Sequence, residues 1–250
     1  MEFQRENILG VCVSAINMNQ ALDQLRQWIA EKYQTYVCVT PAHSIMDCVN
    51  DPPLKTIYNN SGMTTPDGMA IVWLLKASGN HHVARVYGPD LLLAACHSLI
   101  EDQARHYFLG GTEEGIQRLI TRLQNENPGI KIAGSFSPPF RALTSEEEEI
   151  IINQINESGA NMVWVGLGSP RQEKWMAAHY NKINAVLIGV GAAFDFLSGE
   201  KKQAPKWIQK SGLEWLFRLF SEPKRLWRRY IQYPRFVWLV GLQKLGFKKF

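Results

Sequence analysis

The 250-residue chain has only four cysteines, Cys12, Cys38, Cys48 and Cys96, and no C-x-x-C pair, so neither a disulfide framework nor a zinc knuckle is encoded. Reduced, structural thiols are expected. No run reaches 18 uninterrupted apolar residues, and the "FVWLVGL" stretch from Phe236 is too short to span a bilayer. The start, "MEFQRENILG", mixes charges of both signs and lacks an apolar core, which excludes a secretory signal and predicts a cytoplasmic protein. There is no G-x-x-x-x-G-K-[ST], no H-E-x-x-H and no D-x-D, and the six histidines are scattered. No metal site is therefore expected, and any bound diphosphate must be met by arginines and backbone N–H groups. The segment Gly189-Val-Gly191-Ala-Ala-Phe194 carries Phe where a dinucleotide fingerprint needs its third small residue, so a nicotinamide enzyme is the least favoured reading.

What is present begins with charge. The net +4 conceals two unlike parts: residues 201–250 hold 13 Lys and Arg against Glu214 and Glu222, leaving 14 bases and 21 acids in residues 1–200. A segment with a local balance of +11 seeks phosphate on a substrate, a lipid headgroup or a nucleic acid. The 46% hydrophobic content suffices for a substantial core in the rest.

Short apolar runs at Tyr36, Ala84, His106, Ile130, Asn161 and Ala185 alternate with helical spacing near 42–51, 68–79, 89–103, 112–126, 144–158 and 170–180. This alternation predicts an α/β fold, a mostly parallel Rossmann-like sheet covered by helices on both faces, with ligands at the carboxyl ends of the strands. Residues 1–200 form the expected α/β domain, divisible near 104/105, and 201–250 a helical basic appendage. At the strand ends, Gly110, Gly111, Gly168 and Gly191 offer either close backbone approach to a nucleotide or merely tight turns. In "TTPDGM", Asp67 reads as a helix N-cap or as an exposed carboxylate at a ligand edge. Ser169 and Gln172 read as a capping box with Pro170 at N1, or Arg171 and Gln172 project from the helix start to hold an anion or a sugar hydroxyl.

From Ser211 to Phe236 the tail carries the strongest pattern. Pro223 interrupts it, and Ser221 is placed to cap the helix that follows. Counting about 100° per residue from Lys224, the residues Lys224, Arg225, Arg228 and Arg229 share one face, while Leu226, Trp227, Tyr230, Ile231 and Tyr233 share the other. That division suits a helix lying in a membrane interface, with arginines reaching anionic groups, or a helix packed on the domain with a solvated basic face. Because the aromatics lie opposite the arginines, nucleic acid is disfavoured as a partner.

Taken in order, "TPDGMAIVW", "RVYGPDLL", "FLGG", "VGLGSPRQEKW", "GVGAAFDFLSGEKKQAPKW" and "GLEWLFRLFSEPKRLWRRY" resemble the motifs of the WecG/TagA/CpsF glycosyltransferases, glycosyltransferase family 26, over roughly residues 35–235. The resemblance implies a GT-E-like α/β fold with a mobile, membrane-directed C-terminal appendage. It also implies inverting, metal-independent transfer from a UDP-sugar to a polyprenyl-diphosphate-linked saccharide, with no cofactor, at the inner face of the cytoplasmic membrane. The products would be surface polysaccharides such as teichoic acid, common antigen, capsule or exopolysaccharide; a homo-oligomer is left open. By resemblance Asp67 is the general base, Thr40 a polar catalytic-site residue, and Arg85 and Gln172 pocket residues. Asp195 belongs to the pair beside the Gly189 loop, and Arg218, Arg225 and Arg228 are appendage arginines that neutralise diphosphate. The chain departs from the family where Thr-Pro-Asn is usual, reading Thr40-Pro41-Ala42, with His43 or Ser44 placed to compensate. Set against this enzyme is a non-catalytic peripheral module that binds anionic lipid.

Overall fold

The computed structural model describes residues 3–250. An antiparallel hairpin of β1 (Arg5–Ile8) and β2 (Val11–Ser14) precedes α1 (Met18–Glu31), β3 (Thr35–Thr40), α2 (Ala42–Asn50), α3 (Pro52–Asn60), β4 (Met63–Pro66) and α4 (Met69–Ala77). Then come α5 (Gly88–Ser98), β5 (Arg105–Gly110), α6 (Glu113–Glu126), β6 (Lys131–Phe136), α7 (Ser145–Glu157), β7 (Met162–Gly166), α8 (Arg171–His179) and β8 (Val186–Gly189). Five helices close the chain: α9 (Ala193–Leu197), α10 (Lys206–Lys210), α11 (Glu214–Ser221), α12 (Pro223–Tyr230) and α13 (Tyr233–Lys244).

The main sheet has the order β4-β3-β8-β7-β5-β6 with every pairing parallel, the expected α/β architecture. Strand alternation divides its side chains between two cores. Tyr36, Cys38, Val163, Val165 and Leu187 pack with α2, α3, α4 and α8, whereas Val37, Phe108, Met162, Trp164 and Ile188 pack with α1, α5, α6 and α9. Neighbouring strands β3 and β8 therefore feed helices on opposite faces, α2 on one and α9 on the other. Their carboxyl ends diverge into a crevice, the place where open α/β sheets bind ligands. Phe236, Leu239 and Val240 of α13 join the first core, so the basic segment is partly built into the α/β body.

Three short strands escape the apolar-run criterion. The stretch Met63–Pro66 is polar and ends in proline, but the parallel pairing with β3 needs no N–H from Pro66 at the sheet edge. Thr64 explains the hairpin as well: its hydroxyl donates to the Cys12 carbonyl and accepts from the Ser14 N–H, so β1–β2 caps the β4 edge. Conversely, the run at Ala84 is not a strand. It is irregular and follows the end of β4 through the Val86 N–H to the Pro66 carbonyl (2.9 Å) and the Thr65 hydroxyl to the Val86 carbonyl (3.2 Å).

Candidate functional site

Asp67 follows β4 directly and lies at the crevice. The N-cap of α4 is Gly68, with φ of +84°, and no side chain caps the helix, so the reading of Asp67 as a cap is corrected. The tight turn at Gly68 directs the carboxylate sideways instead of onto the helix N–H groups. It meets Arg85, carried in by the stretch hydrogen-bonded to Pro66: Nε and Nη2 of Arg85 both lie 3.2 Å from Asp67 Oδ1. Among the described residues nothing hydrogen-bonds Oδ2. The carboxylate is thus anchored by one oxygen and free at the other.

Arg85 serves more than Asp67. Its Nη2 lies 2.6 Å from Glu214 Oε2 on α11, Nη1 donates to Gln209 Oε1 at 3.5 Å, and its guanidinium covers the Tyr87 ring at 4.0 Å. Burial pushes the Asp67 carboxyl above its ordinary range, Arg85 pulls it back and Glu214 pushes it up again. Burial opposes charge on Arg85, yet Asp67 and Glu214 outweigh it and keep the guanidinium protonated.

Two cavities meet at this carboxylate, sharing Pro41, Ala42's neighbour His43, Asp67 and Arg218 in their walls. The larger, about 760 Å³, is lined by Met69 and Trp73 of α4 and by Trp215, Leu219, Tyr230 and Tyr233 of the C-terminal helices. It is an apolar chamber. The smaller, about 170 Å³, is the more polar of the two, walled by Gly168, Gln172, Gly189 and Gly191 at the strand ends and by Arg218, Arg225 and Arg229 from above. Several buried polar atoms beside it have no hydrogen-bond partner among the described residues, among them His43 Nδ1, Tyr87 Oη and Arg218 Nε. Burial, with Arg229 and Arg218 adding to it, holds His43 well below the ordinary imidazole range, so it is neutral and can donate or accept.

Gln172 does not complete a capping box. Helix α8 is preceded by Pro170 with no side-chain cap, and Gln172 turns inward: its Oε1 accepts from the Gly191 N–H (3.1 Å) and its Nε2 donates to Glu173 Oε1 (3.0 Å). A side chain at Gly189 would collide with Met176 Cε at 2.7 Å and Gln172 Nε2 at 3.0 Å, so that glycine lets Gln172 fold under the β8 loop. The buried carboxyl of Glu173, raised by desolvation, also accepts from Tyr58 Oη at 3.3 Å.

The structure therefore gathers Asp67, Arg85, Gly168, Gln172, Gly191, Arg218 and Arg225 around one crevice. It leaves others outside the two cavities. Thr40 is fully buried and its hydroxyl donates to the Cys38 carbonyl, while its own carbonyl accepts from the Asp67 N–H at 3.4 Å. Gly110 and Gly111 have structural reasons of their own: a Cβ on Gly110 would lie 2.5 Å from the Gly166 carbonyl carbon, and Gly111 holds a φ of +70°. Arg171 donates to the Arg141 carbonyl, and Asp195 holds Lys201 at 2.5 Å. Arg228 lies with its guanidinium 5.6 Å from the Trp227 ring centroid, and Arg229, one residue on, lines the polar cavity in its stead. Ser221 donates to the Phe217 carbonyl, and Glu222 precedes α12 as its N-cap. Sequence reasoning missed Arg229 and Glu214; the i, i+4 relation of Arg225 to Arg229 was the available signal for the first. Among the described residues no three His, Cys, Asp or Glu side chains are grouped to hold a metal ion.

Residues 6–250 match the Glycosyl transferase WecG/TagA/CpsF family. An N-acetylglucosaminyldiphosphoundecaprenol N-acetyl-beta-D-mannosaminyltransferase of Bacillus subtilis (strain 168) is 26% identical over 249 residues, covering 99% of this chain and 95% of the relative. The protein of the same description from Bacillus spizizenii (strain ATCC 23059 / NRRL B-14472 / W23) is 30% identical over 195 residues, covering 78% and 74% respectively.

Proposed function

The chain belongs to the WecG/TagA/CpsF family and is a glycosyltransferase, and on that premise we propose that it transfers a sugar from a UDP-sugar to a polyprenyl-diphosphate-linked saccharide, inverting the anomeric centre without a metal ion. The sugar is of the N-acetylmannosamine type, its uronate or glucose, and the product enters bacterial surface polysaccharide. The relatives' names support the first donor and a lipid-diphosphate acceptor. A β-linked product made from an α-linked nucleotide sugar requires inversion, hence a single displacement.

The observation that carries this reading is the half-anchored carboxylate of Asp67 where the apolar and polar cavities meet. In the reaction, Asp67 Oδ2 takes the proton of the acceptor hydroxyl as that oxygen bonds to the anomeric carbon from the face opposite the phosphate. The bond from that carbon to the β-phosphate oxygen breaks, its electron pair leaves with UDP, and Asp67 later returns its proton to solvent. Arg218, Arg225 and Arg229 offset the charge that builds on the leaving diphosphate. The apolar chamber suits the lipid-linked partner, and the basic appendage the cytoplasmic membrane surface. Among the described residues no helix is long and apolar enough to cross that membrane, which supports peripheral attachment.

The test is UDP release in the presence of a short-chain polyprenyl-diphosphate acceptor and a panel of UDP-sugars. Asp67→Asn is expected to keep UDP binding while transfer falls by about two orders of magnitude or more, the usual loss when a general base is removed. A wild-type rate in that variant rejects Asp67 as the base. EDTA is expected to leave the wild-type rate unchanged, and loss restored by a divalent ion rejects the metal-free mechanism.

A further inference from the structure

Glu214 stands on the appendage, yet it makes the shortest contact in the base's surroundings. Arg85 Nη2 lies 2.6 Å from Glu214 Oε2 and 3.2 Å from Asp67 Oδ1. All three side chains are close to buried, with 12% exposure for each carboxylate and 15% for the guanidinium. One cation therefore serves two acids in a medium that screens weakly, and the trio carries one uncompensated negative charge. A carboxylate matched one-to-one with a buried arginine is a poor proton acceptor, because the pair must be broken to protonate it. Drawing Arg85 toward a second acid relieves that cost while leaving Asp67 held by the same guanidinium.

We propose that Glu214 is a positioning residue for the transfer reaction: docked beside Arg85, it shares the guanidinium with Asp67 and keeps the base strong enough to accept the acceptor proton. The proposal rests on the reading of Asp67 as the base. It also makes base strength depend on the docking of α11, so the appendage contributes to the chemistry as well as to attachment. The other titratable groups facing Asp67 or sharing its cavities are His43 of α2, Tyr87 before α5, Arg218 of α11, Arg225, Arg229 and Tyr230 of α12, and Tyr233 of α13. The tyrosines, pushed upward by burial, and His43, held low, stay neutral at working pH, so Arg85, Glu214 and Arg218, with Arg225 and Arg229 in the adjoining cavity, set the local charge balance.

Two nearly isosteric substitutions move that balance in opposite directions. Glu214→Gln removes the second acid yet keeps an oxygen to accept from Arg85. Gln209→Glu adds a carboxylate where Gln209 Oε1 now accepts from Arg85 Nη1. In kcat/KM profiles across pH, the acidic limb is expected to move to lower pH in Glu214→Gln, with kcat roughly three- to tenfold lower, as a weaker general base predicts. The limb is expected to move to higher pH in Gln209→Glu. KM for the UDP-sugar should hold in both, and Glu214→Asp should return the limb to the wild-type position. If Glu214→Gln does not fold, the upward limb in Gln209→Glu carries the test alone. An unmoved limb in folded Glu214→Gln or in Gln209→Glu, with Asp67→Asn still inactive, overturns the coupling and spares the base. Activity in Asp67→Asn overturns the base reading itself.

Discussion

At the scale of single residues, Asp67 sets activity against stability. Burial raises its carboxyl and Arg85 only partly offsets this, so the native state binds the proton more tightly than the unfolded chain does. By linkage, the ionised group costs stability as pH rises from the ordinary value of 3.8 through the raised one, and the cost is complete above it. Asp67→Asn removes that cost, and Arg85 keeps Glu214 as its ion-pair partner. The variant is expected to melt higher than wild type at pH 7 and to lose that advantage below pH 3.8, as thermal unfolding across pH will measure. Gly110 behaves in the opposite way. At φ of +118° and against the Gly166 backbone, a methyl group strains both conformation and packing. Gly110→Ala is expected to cost about 2–4 kcal/mol in chemical denaturation. KM for the UDP-sugar should be nearly unchanged in whatever protein remains folded.

At the scale of elements, legibility in the sequence follows length and composition. Strands β3, β5, β7 and β8 are buried between two layers of helices, so their apolar runs stand out, and β6 at the sheet edge is half-buried but keeps an apolar run at its start. The four-residue strands β1, β2 and β4 do not, because they are too short to show a pattern, and the hairpin's place on β4 depends on Thr64 reaching across 50 or so positions to Cys12 and Ser14. Asp67, Arg85 and Gln172 were legible through ordered motifs, but their contacts were not. Glu214 and Arg85 are 129 positions apart, and no local pattern predicts their meeting. Helix α12 shows the limit of a helical wheel. Its apolar face is divided, with Leu226 and Tyr230 buried while Trp227 and Ile231 stay exposed at the mouth of the apolar chamber, and Arg229 turns in to the polar cavity. The wheel knows residue spacing and nothing of the neighbour on which the helix rests.

At the scale of the whole molecule, the C-terminal helices join an inward task to an outward one. Their inner side walls the crevice, and at the mouth of the apolar chamber Trp227, Ile231 and Val237 line it while staying exposed to solvent, with Trp238, next to Val237 in the chain, exposed as well. On the proposed membrane attachment, that exposed mouth is the surface that would meet an anionic bilayer. Trp227→Glu combined with Trp238→Glu is expected to lower sedimentation with phosphatidylglycerol-containing vesicles by about tenfold or more, with little change in melting temperature. Unaltered sedimentation would move the attachment surface elsewhere.

The hairpin at the β4 edge has a consequence in time. Gln243 of α13 accepts from the Leu9 N–H and donates to the Asn7 carbonyl, contacts that join positions 234 and 236 residues apart. At ribosomal speeds of about 5–20 residues per second, roughly ten to fifty seconds separate the synthesis of the two partners. The hairpin therefore emerges long before the helix that clasps it. Since Glu214 follows Arg85 by 129 positions, a nascent chain lacks the second acid on that guanidinium until α11 has been synthesised. On the proposed coupling, full proton-accepting power begins only once α11 has been made and docked against Arg85.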